Sequence, residues 1–196
     1  MYNPVTIVLC ISWFMLSSHV ANSELIEKLT WSWNTVKMNY KAADVIATYM
    51  KGPNGDEDGF IIITGGCDHV DGNVGADDGN FYCGSITDKA LKFDPFGNSF
   101  SELEAAPHKR YRHSAVAIGK KLYLIGGRDL QDNFVEEIDV YDTETEKWRT
   151  AGKLPNDKSV DLKGNITVTS DLAAWGYEDH IYVAGGYSTD YTSFGT

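Results

Sequence analysis

Basic side chains are scarce in this chain: 17 Lys and Arg stand against 28 Asp and Glu, for a formal net charge of −11. No basic stripe is present, which excludes nucleic acid and anionic lipid as main partners. Proline (5) and cysteine (3) are also few, so the chain is neither collagenous, nor low-complexity, nor a dense disulfide scaffold. No apolar run reaches the roughly 20 residues of a membrane helix, so no membrane span is expected in the mature chain. There is no phosphate-cradling glycine loop, no nucleophile elbow and no His-Glu-x-x-His helix. His69, His108, His113 and His180 are scattered without ligand spacing. No catalytic residue, metal-ligand set or cofactor is therefore nominated. What remains is 42% apolar residues, 12% aromatic residues and 19 glycines in 196 positions, enough for the core of one β-rich domain.

The first 23 residues hold no Asp, Glu, Lys or Arg. An apolar run from Val5 to Leu16 is followed by polar Ser17-Ser18-His19 and then Ala21-Asn22-Ser23, with small residues at both cleavage positions. This is the layout of a secretory signal peptide over 1–23, although no Lys or Arg precedes the run. An uncleaved anchor or a buried strand is the alternative. Cleavage would remove Cys10 and leave Cys67 and Cys83, which in an oxidising compartment read as one disulfide. Closing a loop of that length stabilises a chain by about 3 kcal/mol. Asn165-Ile166-Thr167 is a glycosylation sequon, meaningful on a secreted chain.

Three apolar stretches end in paired glycines: Ile61–Thr64 before Gly65-Gly66, Leu122–Ile125 before Gly126-Gly127, and Ile181–Ala184 before Gly185-Gly186. The spacings between pairs are 61 and 59 residues. After the first two pairs comes an aromatic-Asp with a second aromatic seven positions on, Phe93-Asp94 with Phe100 and Tyr141-Asp142 with Trp148. Arg110-Tyr111-Arg112-His113 leads into the second glycine-ended strand.

On these residues the chain resembles the kelch repeats of kelch-type β-propellers, from about Trp31 to the last residue. The resemblance implies an all-β fold of four-stranded antiparallel blades around a central channel. In this sequence it gives about two and a half blades of an incomplete ring. After a segment 24–40 with an expected ring-closing strand at Leu29–Trp33, the partial propeller covers 41–196. Blade one occupies about 43–104, blade two 108–151 and a partial blade three 170–196. Expected strands are Val45–Tyr49, Phe60–Thr64, Ala90–Phe93 and Ser99–Leu103 in blade one. Blade two has Ser114–Ile118, Lys121–Ile125, Glu136–Tyr141 and Lys147–Thr150; blade three begins with Leu172–Trp175 and His180–Ala184. Paired aromatics read as wedges between blades, Asp94 and Asp142 as turn openers, and His113 as a structural hydrogen-bonding residue. Propellers use four to eight blades, so the chain reads as a C-terminally incomplete one, or as one that completes its ring by oligomerising.

The repeats differ most in two loops. Gly66 to Phe93 is 27 residues where Gly127 to Tyr141 is 14, and Trp148 to Gly186 is 38 where Phe100 to Gly127 is 27. Both expansions emerge on one face of an antiparallel blade, as a binding rim would. The first holds Asp68, Asp71, Asp77 and Asp78; Arg128, Asp129 and Asp132 in the shorter loop join the same rim. Oxygen-rich loops can wrap calcium. This one lacks alternating Asp-x-Asp-x-Asp-Gly and a closing Glu, and reads as a solvated, disulfide-pinned loop.

The resemblance implies a binding module for a protein or glycan partner, with no catalysis of its own, and the leader places it outside the cell or in the secretory-pathway lumen. The alternative is an enzyme on the same scaffold, such as a copper-radical oxidase resembling galactose oxidase, or a sugar mutarotase, with its site in further blades. Secretion predicts chain in the culture medium of expressing eukaryotic cells. A peptide N-glycosidase should shift the wild type in mass and leave Asn165→Gln unshifted, and a non-reduced digest should contain Cys67 joined to Cys83.

Overall fold

The computed structural model describes residues 6–9, 30–33, 36–68, 83–154 and 170–187. Asp71, Asp77, Asp78 and Asn165 lie outside them. The chain divides into two units, Met1–Asn39 and Tyr40–Thr196. In the first, β1 (Thr6–Leu9) pairs in parallel with β2 (Thr30–Trp33). The former falls within the expected signal peptide and the latter within the expected ring-closing segment.

The second unit is antiparallel throughout its sheets. β3 (Ile46–Gly52), β4 (Gly55–Thr64), β5 (Ala90–Asp94) and β6 (Ser99–Glu102) form one four-stranded sheet in that order. β7 (Ser114–Ile118), β8 (Lys121–Ile125), β9 (Glu137–Asp142) and β10 (Lys147–Lys153) form the second. β11 (Ala173–Tyr177) and β12 (His180–Ala184) form a hairpin that starts a third. The first strands lie side by side, β3 next to β7 and β7 next to β11. Sheets with their first strands together and their last strands apart are blades set about a hub.

Strand sequences explain the packing. Leu122 and Leu124 of β8 face blade one, where they are fully buried with Met50, Ile62, Ala106 and Tyr141. Ile125 and the half-buried Tyr123 face the other way, against Val116, Leu172, Ala174 and Ile181. A strand covered on both sides has to be apolar at consecutive positions, as Leu122–Ile125 is. Each fully buried aliphatic side chain contributes about 1.5–3 kcal/mol.

The recurring aromatics are cross-strand neighbours. Phe93 opposes Phe100 with ring centroids 4.8 Å apart, and Tyr141 opposes Trp148 at 5.0 Å, both tilted. Such pairs add about 0.5–1.5 kcal/mol beyond area burial. Between them, Asp94 Oδ1 accepts the Phe96 and Gly97 amides, and Asp142 Oδ1 accepts those of Glu144 and Thr145. These contacts hold the Asp94 carboxyl below its ordinary range, chiefly through the Gly97 amide.

One hairpin differs from its expected bounds. β3 and β4 run past Tyr49 and Phe60 to a two-residue turn at Pro53-Asn54, so the Ile46–Thr64 hairpin is longer than Ser114–Ile125 or Ala173–Ala184. The added segment is polar and is held by side chains rather than by apolar alternation. Asp58 accepts the Asn54 amide (3.0 Å) and Asn54 Nδ2 (3.0 Å), and Tyr49 donates its hydroxyl to Asp56 (3.0 Å). Gly55, at φ +83°, supplies the left-handed residue of the turn.

The glycine pair ends the second strand of every blade with positive φ at both positions. At Gly127 (φ +91°) a Cβ would lie 2.7 Å from the Tyr111 carbonyl oxygen and 2.8 Å from His113 Cβ; at Gly119 (φ +57°) it would meet nothing within 4 Å. Gly119→Ala is therefore expected to cost only the left-handed penalty, about 1–2 kcal/mol. Gly127→Ala adds a backbone collision and should cost at least about 3 kcal/mol. Chemical denaturation of the two variants beside wild type checks the difference.

Candidate functional site

On the face where strands two and three are joined, the residue after each glycine pair starts a second, shorter layer of pairing. Cys67 bridges Ala43 and Ile86, Arg128 bridges Tyr111 and Phe134, and Tyr187 pairs with Ser170. The backbone bonds are regular, with Ala43 and Cys67 exchanging amides at 2.9 and 2.8 Å and Tyr111 and Arg128 at 3.1 and 2.9 Å. The described residues flanking the glycine pairs are thus stitched to the connections that open each blade.

Side chains extend the stitching sideways. Arg128 is only 3% exposed. It donates Nε to Ser170 Oγ (2.8 Å) and Nη1 to Asp132, and its guanidinium lies over the Phe134 ring. Asp132 also accepts the Tyr111 hydroxyl at 2.8 Å. Burial, and then this carboxylate, push the Tyr111 pKa up, so the phenol stays a proton donor. Ser170 donates its hydroxyl to Asp171 Oδ2 (2.9 Å). Arg112 Nε stands 3.8 Å from Asp171 and 3.7 Å from Asp44. Asp44, Arg112 and Asp171 precede β3, β7 and β11 by two residues each and share a left-handed backbone, at φ 54°, 53° and 56°. They are one position in three successive blades, at the inner edge of the ring.

Of the expected rim residues, Asp68 accepts a bond from Ser85 Oγ (2.7 Å) beside the Cys67–Cys83 disulfide, which packs on Ile86 and Tyr111. Asp129 closes its own loop, its Oδ1 accepting the Gln131 and Asn133 amides and its Oδ2 the Asn133 side chain. That loop lifts Leu130, 46% exposed, to its tip. Arg128 points inward and serves as the tie between blades two and three. Asp44, Tyr111, Arg112 and Ser170 were not singled out from sequence, because their proximity exists only once three blades stand together.

Beneath this layer lies a buried ion pair. Arg110 (1% exposed) donates Nη2 to Asp139 Oδ2 at 2.6 Å and Nη1 to the carbonyls of Gly126 and Glu137. Asp139, with no exposure, also accepts from Thr150 (3.0 Å) and faces His108 Nδ1 (2.9 Å). His113 is enclosed between blades one and two with Nε2 at 3.0 Å from Thr64 Oγ1. Burial first, and then the Arg110 charge, pull its pKa down to about 3. Among the described residues, no group of three or more His, Cys, Asp or Glu is placed to hold a metal ion, and no helix is long and apolar enough to cross a membrane.

A histidine buried neutral opposes acid. Above its unfolded pKa of roughly 6.5 it costs nothing; below that the unfolded chain takes a proton that the folded chain refuses until about pH 3. Stability is thus lost as pH falls through that window, by about 2 kcal/mol between pH 7 and pH 5 from this group. Urea midpoints at the two pH values should show the loss in wild type and a smaller one in His113→Gln.

Residues 109–155 match the family model described as Kelch motif. The human and the rat Kelch-like protein 38 are each 38% identical over 77 residues, covering 37% of this chain and 13% of the relative. A Thlaspi arvense N-(sulfonatooxy)prop-2-enimidothioate sulfolyase is 40% identical over 73 residues, 37% of this chain and 19% of the relative. The chain therefore spans less than a fifth of the length of these proteins. The solved structure of YjhT superposes with a TM-score of 0.53 at 15% identity, over 74% of this chain and 45% of that one, a likeness of fold. Blades, motif residues and likenesses agree: residues 109–155 carry a kelch motif, and the four-stranded antiparallel sheets have the fold of a kelch-type β-propeller.

Proposed function

We propose that this chain is a secreted kelch-repeat module that binds a protein partner, or a glycan, through the face carrying the Asp68, Leu130 and Arg112 positions. The observation that carries this is the run of contacts Tyr111–Asp132–Arg128–Ser170–Asp171–Arg112–Asp44, which crosses three blades. Residues already held by such contacts give up little conformational freedom on association, so their contacts convert more fully into affinity. Leu130 at the tip of a closed loop has the character of an apolar anchor. The uncharged apolar leader, the Cys67–Cys83 disulfide and the Asn165 sequon support secretion.

An enzyme on the same scaffold is the second reading. It is favoured by the likeness to a protein named as a sulfolyase and by the His108–Asp139 pair, in which a buried carboxylate orients a half-exposed imidazole. The copper-radical oxidase and mutarotase alternatives belong to this class.

The test is proximity labelling at the surface of cells given the purified, biotin-ligase-tagged full chain, followed by binding measurements on the partner recovered. Leu130→Asp and Asp68→Lys should each weaken that binding at least about tenfold. Glu144→Lys, in the turn at the opposite end of blade two, should leave it unchanged. Equal binding by all three variants would overturn the assignment of the face.

A further inference from the structure

The turn that closes the long hairpin of blade one holds the one Asn-Gly step in the sequence, Asn54-Gly55, and shortly after it an Asp-Gly step, Asp58-Gly59. In such steps the glycine nitrogen, with no Cβ beside it, can attack the side-chain carbonyl carbon before it and close a five-membered imide. The fold treats the two steps differently. Asn54 is exposed, and a Cβ on Gly55 would meet nothing within 4 Å, so the space around the attacking nitrogen is open. Gly59 is buried beneath the Tyr49 ring, whose hydroxyl Asp56 holds at 3.0 Å. Asp58 cannot swing toward that nitrogen freely. Its carboxylate is engaged by the Asn54 amide at 3.0 and 3.1 Å and by Asn54 Nδ2 at 3.0 Å, and it lies against Gly52.

We propose that Asn54 is a self-acting modification site, an asparagine that deamidates in the folded chain while Asp58 stays intact. The Gly55 nitrogen loses its proton to solvent base and bonds to Asn54 Cγ. The Cγ–Nδ2 bond breaks, and ammonia leaves carrying a proton returned by water. A second water opens the imide at either carbonyl, giving aspartate or isoaspartate at position 54. The product reverses the chemistry of the turn. Nδ2 donates to Asp58 at 3.0 Å, and an oxygen in its place sets carboxylate against carboxylate. Isoaspartate also adds a methylene to the backbone between Gly52 and Gly55, whose pairing closes the turn. The hold on Asp58 is lost, and with it the fixed Gly52 carbonyl that Lys120 of blade two reaches at 3.3 Å. The hairpin tip thus carries an irreversible closed-to-open change, at the end of the blade opposite the loop face and independent of it.

The full chain is held at mildly alkaline pH while peptide maps follow positions 54 and 58, beside the end-capped peptide Gly-Pro-Asn-Gly-Asp-Glu-Asp-Gly. Acid should accumulate at 54 with an equivalent of ammonia, at a rate that rises with pH. Isomerisation at 58 should be at least about tenfold slower in the chain than in the peptide. Hydrogen exchange over 52–60 should quicken in step with the conversion, and Asn54→Asp should show the fast exchange from the start. Asn54→Gln, whose ring closure would be six-membered, should remain an amide and keep the slow exchange. An unconverted Asn54 after the peptide has converted, isoaspartate arising first at 58, a rate indifferent to pH, or wild-type exchange in Asn54→Asp would each overturn the proposal.

Discussion

The architecture depends on backbone meeting backbone at the doubled glycines. The Gly66 amide donates to the Arg110 carbonyl at 2.9 Å, so the end of a strand in blade one is bonded to the connection that opens blade two. A Cβ at Gly66 would meet the Ala43 carbonyl oxygen at 2.6 Å, and one at Gly65 the Arg110 carbonyl oxygen at 2.5 Å. Only residues without side chains let the chain leave the sheet, turn with positive φ, and begin the second layer of pairing centred on Cys67 and Arg128. Disulfide, polar run and rim all hang from that approach.

The two complete blades solve the same packing problem differently. Counting from the Phe93–Ile61 and Tyr141–Leu122 pairs, Leu91 and Asp139 hold the same place, and both are fully buried. Blade one fills it with hydrocarbon, and blade two with a carboxylate neutralised by Arg110. A buried pair of this kind often contributes no more than a well-packed apolar substitute, yet removing one member strands a charge at a cost of about 3–5 kcal/mol. What blade two gains is geometry. Arg110 also binds the Gly126 and Glu137 carbonyls, fixing the point where the blade's second strand ends. Asp139 in turn holds the imidazole of His108, which blade one has no means to do.

Much of this was legible in the sequence. Glycine pairs, spaced aromatics and apolar runs fixed ten strands to within a few residues, because each marks a local backbone requirement or a face covered on both sides. Gly55–Gly59 lies outside the expected strands, since its acidic, glycine-flanked sequence lacks the alternation that marks a buried strand; side-chain bonds from Asn54 and Tyr49 to Asp58 and Asp56, invisible to periodicity, hold it beside β3. Asp139 looked like one more surface acid in an acidic chain, and only the fold brings Arg110 to it. Arg128 reads as a rim cation by position, but with its backbone paired on both sides its side chain has Ser170 and Phe134 beneath it.

The alternation Asp44, Arg112, Asp171 bears on how such an array can grow. Each ion pair is weak at this exposure, but the sign at a blade's inner corner has to suit both neighbours. Tandem duplication of blade one would set two acids side by side, and duplication of blade two would set two guanidiniums side by side. Blades of this chain are therefore not interchangeable parts, and copying one succeeds only if that corner residue diverges with it.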